Sequence, residues 1–100
     1  MTSTHRIPFP HPGVTIREDY LVPLGMSSNK LAIELRVPAT RIAEIINGRR
    51  GVSADTALRL ARYFNTTSRF WLNLQMAYDL AIATETSEAE IRRTIQPRAV

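Results

Sequence analysis

The stretch "LRVPATRIAEIINGRRG", residues 35–51, decides the fold. It predicts a short helix over residues 39–47 that is entered through Pro38 and closed by Gly48. Such a helix buries a stripe of three isoleucines at helical spacing, Ile42, Ile45 and Ile46. Its opposite face either contacts a nucleic acid or lies in solvent as part of an ordinary helical bundle.

A second helix precedes this one at close spacing. Ser27 is a good N-cap for a helix over residues 28–35, where apolar residues recur at helical spacing. A turn of three residues, 36–38, separates the two helices. That spacing is typical of a helix-turn-helix, in which the second helix enters the major groove of DNA and the first crosses above it.

Two further helices flank this pair. Residues 14–22 predict a first helix that Pro23 and Gly25 end. Ser53 caps a helix over residues 54–64. Its inward residues are Ala57, Leu60, Ala61 and Phe64, while Arg59 and Arg62 point away.

The C-terminal third predicts two more helices. A fifth helix starts after Ser68, and a motif "SEAE", residues 87–90, is a capping box that begins a short helix ending before Pro97. The apolar residues of the fifth helix occupy nearly its whole circumference: Phe70, Trp71, Leu72, Leu74, Met76, Tyr78 and Leu80. A helix that is apolar all round is either central in the domain or shared with a partner.

No segment has the alternation of a strand, so the fold class is all-α. Prolines at positions 8, 10 and 12 make residues 1–12 an extended arm, because each proline disfavours helix at the residue before it. We assign residues 13–83 to the helix-turn-helix domain and residues 84–100 to a C-terminal helix and tail. One hundred residues with 44% hydrophobic content suit one small domain.

Composition predicts a soluble cytoplasmic protein. The chain has no cysteine, which fits a reducing compartment, and its first residues show no signal peptide. The net charge is +4, and the excess lies in the middle: residues 36–69 carry seven arginines against Glu44 and Asp55, a net +5. Such a concentrated basic surface is either a solvated helical face or the footprint of phosphate contact.

The sequence offers little for catalysis or cofactors. His5 and His11 lie in the proline-rich arm without a cysteine or carboxylate at metal-ligand spacing. Glu18 and Asp19 are adjacent and therefore point to different sides of a helix. The glycines match neither a phosphate loop nor a dinucleotide fingerprint. We expect no enzyme activity, no cofactor and no metal.

The residues on and around the outer face suit DNA. Small residues at the leading end, Ala39 and Thr40, let the backbone approach the groove floor, where Thr40 can meet a base edge or a thymine methyl. Arg41 can reach a guanine or a phosphate, and Glu44 can accept from a cytosine amino group, unless it pairs internally with an arginine. Residues outside this helix are candidates for phosphate: Arg49 and Arg50 after it, and Ser28 and Asn29 before it, the latter two with capping as the alternative.

The blocks "HPG", "INGRRG", "SADTALRLARYF" and "FWLNLQ" identify a resemblance that runs from His11 to about Leu80. They resemble HigA-type antitoxins of bacterial toxin–antitoxin modules, within the Xre/Cro-like helix-turn-helix group that also includes the virulence-associated protein I proteins. The resemblance implies a lambda-repressor-like five-helix domain, here with an additional short C-terminal helix. It also implies a homodimer that binds a palindromic operator of its own operon and neutralises a HigB-type toxin, a small ribonuclease that cleaves messenger RNA on the ribosome.

Carried over by position, the resemblance places the DNA-facing residues at Ser28, Asn29, Pro38, Ala39, Thr40, Arg41 and Glu44, with Arg49 near the DNA backbone. The chain departs from the family at three positions. The family often has glutamine at Ser28 and arginine at Thr40, so its operator does not follow from the resemblance. The family commonly has glycine where this chain has Arg36. If that residue is left-handed, the arginine costs on the order of 1 kcal/mol of stability relative to glycine.

Two other functions remain open. One is a stand-alone transcription regulator with the same fold and no toxin partner; the gene next to it would discriminate. The other is a protein-interaction module whose basic face is incidental, for which the helix around Trp71 is the motivation.

Overall fold

The computed structural model describes residues 9–99, which form five helices and no strand. The first helix, α1, runs through three consecutive segments, Pro12–Thr15, Ile16–Leu21 and Val22–Leu24. The others are α2 (Ser28–Leu35), α3 (Ala39–Ile46), α4 (Ala54–Phe64) and α5 (Ser68–Thr94). The all-α prediction is confirmed for this part of the chain. Most of the predicted arm, residues 1–8, lies outside the described residues.

Each helix contributes a fully buried side chain to one core: Ile16, Leu31, Ile42, Leu60 and Trp71 are 0% exposed. The Trp71 indole also needs a hydrogen bond, and its Nε1 donates to Thr66 Oγ1 at 2.8 Å. Apolar burial of this kind is the main driving force that holds the helices together. Helix α5 packs on α4 and α1, and α2 packs on α3. The leading end of α3 stays exposed, because Pro38, Ala39 and Thr40 lie outside this core.

Helix α1 differs from the prediction at both ends. It begins at Pro12, which suits the first turn because the missing N–H has no helical partner there. Pro23 does not end the helix, which continues to Leu24. The segment before Pro23 is π-helical, with Val22 N–H bonded to the Arg17 carbonyl five residues back. Proline lacks the N–H that a regular α-helix would use at this position. Here the hydrogen bonds of the preceding residues already follow the five-residue pattern of a π-helix. Gly25, left-handed at φ 61°, ends the helix as predicted.

The predicted starts of α2 and α4 are confirmed. Ser27 Oγ accepts from Lys30 N at 3.0 Å, and Ser53 Oγ accepts from Thr56 N at 3.3 Å. Helix α3 begins at Ala39 after an extended Pro38, and Gly48 has a φ of 76° beyond its end. These boundaries were predictable because each depends on one local capping residue.

The prediction of a separate C-terminal helix is wrong. Helix α5 is continuous over 27 residues, so the boundary drawn at residue 84 falls inside it. Ser87 has no proline or glycine near it to interrupt the helix, and Thr86 satisfies its hydroxyl within the helix by donating to the Ile82 carbonyl at 2.8 Å. A capping box initiates a helix only where the preceding residues are not already helical. The helix does end before Pro97.

Within residues 9–99, no helix is both long enough and apolar enough to cross a membrane.

Candidate nucleic-acid interface

The turn between α2 and α3 is tight and left-handed. Arg36 has φ 61° and ψ 44°, the conformation in which glycine is least strained. Its N–H donates to the Ile33 carbonyl at 3.1 Å, and Val37 N–H donates to the Ala32 carbonyl at 3.0 Å. This pair of bonds closes the C-terminus of α2 as a Schellman motif. The predicted helix-turn-helix connection is therefore present, with a non-glycine residue at its strained position.

The buried and exposed faces of α3 divide as the isoleucine stripe predicts. Ile42 and Ile45 are fully buried, and Ile46 is partly buried against the same core. Pro38, Ala39 and Thr40 are exposed at the leading end. The exposed end of the helix therefore carries only small side chains, and backbone can approach a partner surface there.

Arg41 lies at the edge of α3 and is held by α4. Its Nη1 donates to Asp55 Oδ2 at 2.9 Å, and its side chain is 28% exposed. Asp55 Oδ2 also accepts from Arg59 Nε at 2.9 Å. The hydrogen bonds from Arg59 and then Arg41 lower the pKa of the Asp55 carboxyl below its usual value. Arg59 was predicted to point away from the domain, but its guanidinium reaches back to α2.

Glu44 forms an internal ion pair. Its Oε1 accepts from Arg50 Nε at 2.9 Å and lies 2.8 Å from Arg50 Nη2. The alternative that Glu44 pairs with an arginine is confirmed, so a base contact by Glu44 would require this pair to open. Arg49 is exposed, and its side chain forms no ion pair within residues 9–99.

The loop after α3 is fixed from two sides. Val52 N–H donates to Gln75 Oε1 of α5 at 2.7 Å. On the other side, His11 hydrogen-bonds the Arg50 backbone, and its ring meets Tyr78 edge-on with centroids 5.0 Å apart. The loop is thereby tied to α5 and to the residue before α1, which fixes its backbone at Arg50 and Val52.

His11 has a structural role. Its Nδ1 accepts from Gly13 N at 2.9 Å and caps α1. Burial lowers the pKa of the imidazole, against smaller raising effects from the Arg50 backbone and Asp79. In the described part of the chain, no cluster of three or more His, Cys, Asp or Glu side chains is arranged to hold a metal ion. His5 lies outside that part.

Ser28 and Asn29 begin α2, where Ser28 is half-buried and Asn29 is exposed. Capping belongs to Ser27, whose hydroxyl accepts the Lys30 N–H. Helix capping was the alternative to phosphate contact for Ser28 and Asn29, and neither side chain caps α2. Both lie on the first turn of α2.

Sequence reasoning missed two participants in this region. Asp55 entered the sequence analysis only in the charge count of residues 36–69, yet it contacts Arg41 fourteen residues away. Gln75 lies on the helix that was predicted to be apolar over nearly its whole circumference, and its side chain accepts a hydrogen bond from the loop after α3. Neither pairing leaves a local pattern, because both contacts form only when the helices pack.

Comparison with known proteins gives a consistent result. Residues 16–72 match the helix-turn-helix family. Over 85 residues, the chain is 47% identical to virulence-associated protein I of Dichelobacter nodosus, covering 85% of this chain and 79% of that protein.

Two solved structures have the same fold. The Pseudomonas aeruginosa antitoxin HigA with the higBA promoter has a TM-score of 0.86 at 40% identity, covering 90% of this chain and 98% of that one. An addiction module antidote protein of the HigA family from Coxiella burnetii has a TM-score of 0.83 at 45% identity, covering 89% and 97%. The chain therefore belongs to the helix-turn-helix family, among its HigA-type antitoxins.

Proposed function

We propose that this protein is a cytoplasmic, DNA-binding antitoxin that represses its own operon as a dimer and neutralises a HigB-type mRNA-cleaving toxin. The observation that carries DNA binding is the leading end of α3, where Pro38, Ala39 and Thr40 are exposed beside Arg41. A helix of this kind fits the major groove, and its N-terminal residues meet the base edges. The relative solved with its promoter supports the same use of the fold.

The proposed contacts divide into two groups. Ala39, Thr40 and Arg41 face the bases, with Glu44 joining them when its pair with Arg50 opens. Phosphate contacts come from residues around α3: Ser28, Asn29, Arg49 and Arg50. Pro38 faces the DNA but has no N–H to donate to a phosphate. Phosphate contacts position a protein on DNA, and base contacts specify the sequence.

DNA binding is tested with the DNA directly upstream of the protein's own gene. We expect that duplex to bind more tightly than a shuffled duplex of the same composition, in gel-shift assays at two salt concentrations. Affinity for both duplexes should fall as salt rises, because phosphate contacts release counterions. Equal affinity for the two duplexes would refute operator recognition.

Dimerisation is proposed through α5. An open groove of about 440 Å³ is lined by Phe9, Met76, Ala77, Leu80 and Ala81, together with Asn73 and Thr84. Met76 and Leu80 are 62% and 66% exposed on the helix that was predicted to be central or shared. A second copy of the chain would bury this apolar surface. On a palindromic operator, the two copies of α3, the reading helix, would have to lie about one DNA turn apart.

Leu80→Glu should convert the dimer to a monomer in light scattering. Leu58→Glu on α4 is the matched control, because Leu58 is 62% exposed and lies outside the groove. We expect the control to stay dimeric. A Leu80→Glu protein of unchanged mass would place the interface elsewhere.

Toxin neutralisation is tested by co-expression. The antitoxin assignment of the relatives supports it. A short basic reading frame directly upstream should arrest growth when expressed alone, and this protein should restore growth. Arrest that persists when this protein is present would leave the stand-alone regulator as the function.

A further inference from the structure

One carboxylate joins the reading helix to the helix behind it. Asp55 Oδ2 accepts hydrogen bonds from Arg41 Nη1 and from Arg59 Nε, each at 2.9 Å. Asp55 lies in the first turn of α4, and Arg59 lies one turn further along the same helix. Arg41 is therefore fixed to α4 through a group that α4 itself holds in place.

The second arginine is anchored in turn. Arg59 Nη1 donates to the Leu35 carbonyl at 2.8 Å and contacts the Arg36 carbonyl at 3.4 Å. These two carbonyls lie at the C-terminal end of α2, where a helix has no further N–H groups to bond its last carbonyl oxygens. The network therefore runs from the end of α2 through Arg59 and Asp55 to Arg41, and connects both helices of the motif.

This arrangement leaves Arg41 ordered with donors to spare. A guanidinium carries five N–H groups in a planar fork, and the contact with Asp55 uses one of them. A side chain that is already ordered loses less conformational entropy when it binds. The four remaining N–H groups can still make a bidentate contact with a guanine edge.

We propose that Asp55 is a positioning residue that sets sequence discrimination by presenting Arg41 to the operator in one orientation. The inference rests on the proposed function. It assigns Asp55 a favourable role in operator recognition, although the negative charge of Asp55 by itself disfavours DNA binding. A carboxylate near DNA repels phosphate, so removing it should strengthen binding to any duplex. If Asp55 acts by position, its removal instead weakens the preference for the operator over other DNA.

The test compares Asp55→Asn with wild type by fluorescence anisotropy, using the upstream duplex and its shuffled counterpart. We expect the preference for the upstream duplex to fall by about tenfold for each protomer, and so by about a hundredfold for a dimer on a two-fold site, because each protomer loses the discrimination of one good bidentate contact. Affinity for the shuffled duplex should stay equal or rise. Glu34→Gln is the matched control: it removes a carboxylate that pairs with Lys30 and should leave the preference unchanged.

A double-mutant cycle with Arg41→Ala shows whether Asp55 acts through Arg41. In the Arg41→Ala background, Asp55→Asn should no longer change the preference. A similar loss in both backgrounds, or an undiminished preference in Asp55→Asn alone, would overturn the inference. Asp55 is 56% exposed, so the variant should fold, and thermal unfolding with Asp55→Ser as a second replacement checks this.

The inference and the proposed function fail differently. If wild type binds the two duplexes equally, the proposed function is refuted and the inference falls with it. If wild type prefers the upstream duplex and Asp55→Asn keeps that preference in full, only the inference is refuted.

Discussion

Gly13 of α1 lies directly against the backbone of Ile45 in α3. A Cβ built on Gly13 would overlap the Ile45 carbonyl oxygen and lie 2.9 Å from the Ile45 carbonyl carbon and from Ile46 Cα. Because the obstacle is backbone, no side-chain rotation can relieve it. The absence of a side chain at Gly13 thus allows α1 to support the reading helix from behind.

Gly13→Ala should therefore destabilise the fold by about 2–3 kcal/mol, through forced separation of the two helices. Urea denaturation followed by circular dichroism measures the change. Gly51→Ala is the matched control, because its Cβ would meet only the Gln75 side chain, at 3.0–3.1 Å. We expect less than about 1 kcal/mol for the control. A loss in Gly13→Ala as small as the loss expected for the control would mean that α1 shifts easily along α3.

Arg36→Gly should stabilise the protein. Arg36 holds a left-handed conformation at φ 61°, which glycine adopts with less strain. The expected gain in unfolding free energy is about 0.5–1 kcal/mol, less than the full strain because glycine also gains freedom in the unfolded chain. Asn65→Gly, at φ 58°, is the control. Asparagine tolerates this region, so its gain should be smaller. A larger gain at Asn65 would contradict the account.

Stability should fall on mild acidification because of His11. Burial lowers the pKa of the folded imidazole below its usual value of 6.5, so the unfolded chain takes up the proton first. The stabilisation is complete above pH 6.5 and is lost as pH falls from there through the lowered pKa of the folded state. Asp79 and the Arg50 backbone oppose the shift without reversing it.

Urea midpoints between pH 7.5 and 5 should record this decline in wild type. His11→Asn keeps an acceptor for the Gly13 N–H and has no titrating group, so its midpoints should change less over that range. Parallel curves for the two proteins would assign the decline to other groups.

Arg49→Ala should weaken binding to all duplexes alike. Arg49 is exposed after α3, so its proposed partner is a phosphate. In a dimer, the plot of log affinity against log salt should become shallower by about two, one contact per protomer. Arg69→Ala removes the same charge at the start of α5, beyond the far end of α4, and should leave the slope unchanged. A changed operator preference in Arg49→Ala would assign Arg49 a base contact.

The local parts of the fold were predictable from the sequence. Ser27, Pro38, Gly48 and Ser53 each set a helix boundary through their own backbone or hydroxyl chemistry, and the structure has those boundaries. The isoleucine stripe likewise oriented α3, because its spacing of three and four residues leaves one face to bury. These features depend on residues that are close together in the sequence, so the sequence pattern is enough to predict them.

The remaining features depend on packing between distant segments. Pro23 continues α1 only because the preceding segment is π-helical, which its sequence does not announce. Ser87 resembled a helix start, but the helix from Ser68 had already reached it. Asp55 could be placed on α4, whereas its contact with Arg41 required the angle between α3 and α4. Such contacts need the assembled geometry.

The continuity of α5 bears on the spacing between the two half-sites of an operator. Twenty-seven residues form an unbroken rod of about 40 Å. For two-fold copies that pair along this helix, a shift of one residue would turn a different face of α5 toward the partner, because successive residues lie about 100° apart around the axis. The same face recurs once per turn of about 5.4 Å, so moving the crossing point by one turn would change the separation of the two copies by about 11 Å, or about three base-pair steps of about 3.4 Å. The spacing of half-sites that a dimer could read would then change in steps of about three base pairs.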